Sequence, residues 1–279
     1  MSTVFRYHFT RLRGQMLGWG IGMGLLGMLV ASFFDTIKEQ GDQFQQLFES
    51  YPPAMSAFFG DLTKLTTPAG YLTAEFFSIA PIMLGIFAVL VGSGLVVADE
   101  ENGTLDLVLA HPVSRTTLFA GRLLALVAVS VGILAIAWAG LMVSMQWSSL
   151  GVDWRHMALP FISLLAILMV VAMLALLLSL VLPSRRVAAA TAYFLLVASY
   201  FVTSLATLND SLKTLARISP LNYYQSGNAI NGLNVSWVLV LLAVATLLAV
   251  VAWWRFERRD IRVGGEHGWR LRLLRRRTA

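Results

Sequence analysis

Ala98-Asp99-Glu100-Glu101-Asn102-Gly103-Thr104-Leu105-Asp106, running on through His111-Pro112-Val113-Ser114-Arg115 to Gly121-Arg122, separates two long apolar runs. A stretch so rich in charge between two such runs means that the chain leaves an apolar phase, presents a short polar element and returns. Gly103 can break the preceding helix, and Leu105, Val108 and Leu109 fall on one side of the short amphipathic segment that follows. Pro112 ends that segment, and Ser114 stands where it can cap a helix running back. Asp99, Glu100 and Glu101 are favoured by the helix dipole at the segment's N-terminal end and are open to an arginine on a partner. The alternative reading of the same spacing is a solvated turn between two spans.

Outward from this stretch the chain is almost uniformly apolar. Of 279 residues, 57% are hydrophobic and 13% charged, too few charges for the surface of a soluble domain. Crossing ~30 Å of hydrocarbon takes roughly 20 apolar helical residues. Six segments qualify, at about 15–34, 76–98, 118–145, 157–182, 187–208 and 235–254. The expected fold is therefore an all-α integral membrane protein with six transmembrane helices, a single transmembrane domain over 1–279 with no soluble catalytic domain left over. Arg122 is the one charge within these runs, close enough to the start of the third to snorkel to the surface.

Basic residues in short loops stay in the cytoplasm. Placing both termini there puts all but Lys38, Lys64, Arg155, Lys213 and Arg217 of the 21 basic residues on the cytoplasmic side. The first external loop, Asp35 to Glu75, then carries six acids against Lys38 and Lys64. Trp19, Trp147, Trp154, Trp237, Trp253 and Trp254 fall near the span ends, where an amphipathic ring is best placed. The net charge of +6 is thus topological and lipid-facing, and the basic tail over 255–279, with Arg270 to Arg277 at its end, suits an anionic leaflet rather than nucleic acid.

Residues 1–14 mix Val4, Phe5, Phe9 and Leu12 with Arg6, Arg11 and Arg13, the composition of an amphipathic helix lying on the cytoplasmic face, or of a flanking anchor. The run Met16 to Phe34 has span length and no convincing small-x-small site, so it reads as a retained signal anchor. Cysteine is absent, which removes disulfides and thiolate chemistry.

Gly22-Met23-Gly24-Leu25-Leu26-Gly27 spells GxGxxG, but it lies within a span and lacks the strand and helix a dinucleotide fingerprint requires. Gly14, Gly18 and Gly22, and likewise Gly20 and Gly24, recur every four residues and give a flat face for another helix, of this subunit or of a second copy. His8, His111, His156 and His267 are scattered and make no metal site, and neither a GxxxxGK[ST] loop nor a GxSxG elbow occurs. The spans lack the acids and histidines that ion-coupled transporters and proton pumps use. Their polar groups are Ser78, Ser93, Ser130, Ser179, Thr191, Tyr193, Ser199, Tyr200 and Thr203, which either suit an apolar or amphiphilic solute or bond their own helix backbone. Any work must then be powered from elsewhere.

The quoted loop resembles that of type 2 ATP-binding-cassette (ABC) exporter permeases, in which an acidic pair precedes Gly-Thr-Leu-Asp/Glu, then Leu-Ala-x-Pro-Val-Ser-Arg and a later Gly-Lys/Arg. Glu100, Glu101, Gly103, Thr104, Leu105, Asp106, Pro112, Val113, Ser114, Arg115, Gly121 and Arg122 match. Tyr51-Pro52, Gly70-Tyr71-Leu72 and Ser219-Pro220-Leu221-Asn222-Tyr223-Tyr224 support the likeness. The resemblance implies that residues 99–117 form a coupling element, with Asp99, Glu100, Glu101, Gly103, Thr104, Leu105, Asp106, Pro112, Ser114 and Arg115 docking on a separate ATPase. It also implies two ATPase copies carrying ATP and Mg, a second permease, identical or homologous, and a multi-pass place in a prokaryotic cell membrane. No cofactor is expected on this chain, and the substrate path stays unassigned. Two rival classes are a non-transporting anchor or regulator of an ATPase, which would share the loop, and a polytopic membrane enzyme. The latter would need acids or histidines beside the span serines, and the spans have none.

Overall fold

The computed structural model of the chain describes residues 1–41, 64–103 and 114–259. Helices follow in the order α1 (Ser2–Glu39), α2 (Pro68–Leu72), a π-helical turn (Thr73–Phe77), α3 (Ala80–Gly94), α4 (Val97–Glu101), α5 (Arg115–Ser144), α6 (Trp154–Val181), α7 (Arg185–Leu205), α8 (Asp210–Ala216), two 3-10 turns (Pro220–Tyr223 and Ser226–Asn231) and α9 (Val235–Arg258). Strands are absent among the described residues. Five of these helices, α1, α5, α6, α7 and α9, are long and apolar enough to cross a membrane. The sixth expected span is broken: Pro68–Phe77 and Ala80–Gly94 meet at an angle of 41°.

The expected segment 76–98 therefore starts late and misses the bend. Thr67 caps α2 through its Oγ1, which accepts from the Gly70 amide at 3.2 Å, and Pro68 supplies the fixed φ of a first helical residue. Pro81 does the same for α3. Two starts so close together turn one apolar run into a bent pair. Tyr71 anchors the upper limb by donating to Val30 O at 2.7 Å, and Tyr224 donates to Phe77 O at 2.9 Å.

Residues 1–14 do not form a helix of their own. α1 runs unbroken from Ser2 to Glu39, about 57 Å at 1.5 Å per residue, and so overshoots ~30 Å of hydrocarbon. Gly14, the one weak helix former at the expected boundary, does not stop it, because the neighbours on either side continue to pack on α5. The two helices run parallel, with Val4 against Gly121, Met16 against Gly132, Gly20 against Ile136, Gly24 against Gly140 and Gly27 against Leu141. One of the two glycine rows is thus used within the subunit, while Gly14, Gly18 and Gly22 have no neighbour there.

α6 is the central helix, packed by α3, α7 and α9. It has an apolar side chain on nearly every face, as a helix surrounded by other helices must. Phe76, Phe77 and Phe161 meet edge to face or tilted beneath the bend and close the core there. The outer faces carry a lipid-compatible stripe, seen on α1 as Leu17, Ile21, Leu25, Leu29 and Phe33, all exposed. Trp147, Trp154 and Trp237 lie exposed toward one end of the bundle and Trp253 and Trp254 toward the other.

Candidate functional site

The ends of the quoted stretch converge where α1 begins and α9 finishes. α4 carries Asp99, Glu100 and Glu101 and stops at Asn102, and Gly103 follows at φ +68°, a left-handed conformation that glycine adopts without strain. On the far side of the segment Ser114 Oγ accepts from the Thr117 amide at 3.1 Å and caps α5. Thr104, Leu105, Asp106 and Pro112, the remaining residues of the expected docking set, lie outside the described residues.

Each acid of α4 meets a different helix. Asp99 bonds Arg122 Nη2 of α5 at 2.6 Å and Arg11 Nη1 of α1 at 3.3 Å. Glu100 lies 3.4 Å from Arg259 Nη2, just past α9. Glu101 Oε1 accepts from the backbone amide of Arg185 at 2.8 Å, adding a second cap at the start of α7 beside the one Ser184 makes to Val187. Arg115 completes the set by donating to the carbonyls of Phe256, Glu257 and Arg259 at 3.3, 3.3 and 2.7 Å, which closes the C-terminal end of α9. Thr116 donates to Glu257 Oε1 at 2.6 Å alongside it.

Arg122 corrects the reading from sequence. It does not snorkel; its side chain is 1% exposed, and its Nη1 donates to Leu95 O at 2.8 Å. A guanidinium with a carboxylate and a carbonyl within reach is held by those partners more firmly than by extension to a distant surface.

The hydroxyls divide into two groups. Ser78, Ser130 and Ser179 bond carbonyls of Ala74, Leu126 and Leu176, and Ser93 bonds Leu90 O, all on their own segments. On α7 they reach outward instead: Ser199 and Thr203 both bond Ser219, and Tyr193 donates to Ile82 O at 3.4 Å. Beside them an apolar cavity of about 310 Å³ lies between α6 and α7, with Ile167, Val171, Leu195 and Val202 among its walls and Ser199 and Ser219 at its polar edge. Nothing in the residue pattern of α6 announced this cavity, because α6 is apolar all round and its gaps have no sequence signature.

The fold is that of an all-α, multi-pass membrane protein. The chain belongs to the ABC-2 family transporter proteins, whose family model matches residues 16–261. A search of curated proteins returns no match.

Proposed function

We propose that this chain is the membrane-spanning subunit of an ATP-driven exporter, which moves an apolar or amphiphilic solute and is driven by a separate ABC ATPase. One observation carries the reading beyond the family: the residues flanking segment 104–113 are tied to α1, α5, α7 and α9 at once. A push on that segment is shared by four helices, which is what conversion of a partner's motion into movement of the spans requires. The charge-free walls of the cavity between α6 and α7 support an apolar or amphiphilic solute.

In this reading both termini are cytoplasmic, two ATPase copies bind ATP and Mg, and a second permease, identical or homologous, completes the path. The assembly resides in the plasma or inner membrane of a prokaryote. Asp106, together with Thr104, Leu105 and Pro112, makes the direct contact with the ATPase, while Asp99, Glu100, Glu101, Gly103, Ser114 and Arg115 hold the contact element in place.

The test is purification of the tagged chain from its native membrane in mild detergent, with Asp106→Arg beside it. Recovery of an ATPase with a phosphate loop, whose hydrolysis rate responds to the permease and which Asp106→Arg fails to retain, is the expected result. Equal recovery by both forms, or no ATPase under several conditions, refutes the docking assignment.

A further inference from the structure

A crevice of about 220 Å³ opens between α1 and α3 at the basic end of the bundle. His8, Arg11, Leu12 and Gln15 enter it from one face of α1, three to four residues apart, as neighbours on a helix surface must be. Arg185, at the start of α7, also lines it, with Nη2 donating to Leu90 O at 3.3 Å. The lower wall is apolar, formed by Leu90, Val91 and Leu95 of α3 and the residue after it.

Two guanidinium groups at the mouth face one carboxylate, Asp99, and that carboxylate also bonds the buried Arg122 at 2.6 Å. Glu101 lies beside it on the Arg185 amide and Glu100 is matched by Arg259, so Arg11, Arg122 and Arg185 against Asp99 and Glu101 leave the mouth net positive. Arg11 is half exposed and presents a fork of five donors, of which one bond, at 3.3 Å, goes to Asp99. Such a fork matches the oxygens of a phosphate, and the volume admits a phosphodiester rather than a single water. The apolar wall selects between sources of that phosphate. Leu90, and Ile86 one turn away on the same face of α3, are exposed on the outside of the bundle, so an acyl chain can follow them while its headgroup stays between Arg11 and Arg185.

We infer that this crevice binds the phosphate headgroup of an anionic phospholipid, with one acyl chain lying along α3. The bound phosphate shares Arg11 with Asp99 and thereby fastens the start of α1 to α4, next to the segment flanked by Gly103 and Ser114.

The test uses the full chain, delipidated in micelles, titrated with phosphatidylglycerol or with phosphatidylcholine of the same acyl chains and read by native mass spectrometry. One phosphatidylglycerol is expected to bind in preference to phosphatidylcholine. Arg11→Gln should weaken that binding about tenfold, the worth of one charge-assisted hydrogen bond. Gln15→Glu sets a carboxylate at the exposed mouth without touching the core, so it decides the matter where Arg11→Gln is not monodisperse; it too should lose the preference. Arg13→Gln, exposed and outside the crevice, should leave it intact. Equal weakening by Arg13→Gln would assign the effect to diffuse surface charge, equal affinity for phosphatidylcholine would remove the anion site, and displacement of the lipid by millimolar inorganic phosphate would assign the site to free phosphate. Each of these overturns the inference.

Discussion

Arg122 Nη2 of α5 lies 2.6 Å from Asp99 Oδ2 of α4, and the arginine is fully buried. The pair joins the exit of one span to the entry of the next, on either side of a segment whose ends are otherwise bonded to α1, α7 and α9. Its energetics are asymmetric. Removing both charges with apolar replacements costs little, whereas removing Asp99 leaves the buried Arg122 without its counter-ion and removing Arg122 leaves the buried carboxylate to the half-exposed Arg11.

Asp99→Leu and Arg122→Leu are each expected to lower stability by about 3 kcal/mol. The double variant Asp99→Leu with Arg122→Leu should recover a large part of that loss. Unfolding midpoints of the four purified proteins in one detergent check this, and strict additivity of the two single effects would disprove the coupling.

Ser114→Ala removes the oxygen that holds the Thr117 amide and should destabilise the first turn of α5 by about 1 kcal/mol. Hydrogen exchange at Thr117 and its neighbours should quicken, while α6, which is packed all round, stays protected. Ser114→Asp restores a cap and should return exchange to near its original rate; unchanged exchange in Ser114→Ala would show that the cap does not hold this turn.

The spans and the cap were legible because apolar runs and capping residues act through near neighbours in sequence. Arg122 was not, since its partner Asp99 arrives from another helix and periodicity does not report which helix ends meet. The continuity of residues 1–14 with the first span is hidden for a related reason: the change from charged to apolar composition at Gly14 marks a change of surroundings, and no proline or C-terminal cap there stops the helix. The bend at 78–79 was masked by hydropathy, which is high on both limbs, although Thr67-Pro68 and Pro81 each carry a start signal. The outward reach of Ser199 and Thr203 depends on Ser219, brought back by the 3-10 turn after α8. The acids of α4 illustrate a further limit. The sequence shows that they are near a helix end, and only the fold shows that Arg11, Arg122 and Arg259 stand opposite them.

The glycine seam between α1 and α5 and the outward glycine row of α1 should respond differently to a methyl group. A Cβ added at Gly140 falls 2.6 Å from the Gly24 Cα, a backbone contact that cannot yield without moving the helices, so Gly140→Ala should cost about 2 kcal/mol. Gly22→Ala meets nothing within the subunit and should leave the unfolding midpoint of the monomer unchanged or slightly raised. A fall in midpoint for Gly22→Ala only at concentrations where the chain self-associates would place a second copy on that row.

Gly103 offers a graded test of transmission from the docking segment to the helices, resting on the proposed function. At φ +68° it occupies a conformation that asparagine tolerates, alanine adopts at a cost of roughly 1–2 kcal/mol and proline, fixed near −65°, cannot reach. Gly103→Asn should therefore keep most of the permease-dependent change in ATP hydrolysis by the bound ATPase, Gly103→Ala should reduce it, and Gly103→Pro should abolish it. Glu101→Ala should act in the same direction by releasing the Arg185 amide and loosening α7 from α4. Membrane insertion, measured as the amount recovered in the membrane fraction, should be the same for all four, because the spans are untouched. The order of the three glycine variants is what distinguishes this account from a merely disordered turn: a turn with no set conformation would accept proline as readily as asparagine, and equal coupling by those two variants would sink the proposal that Gly103 holds the segment in register.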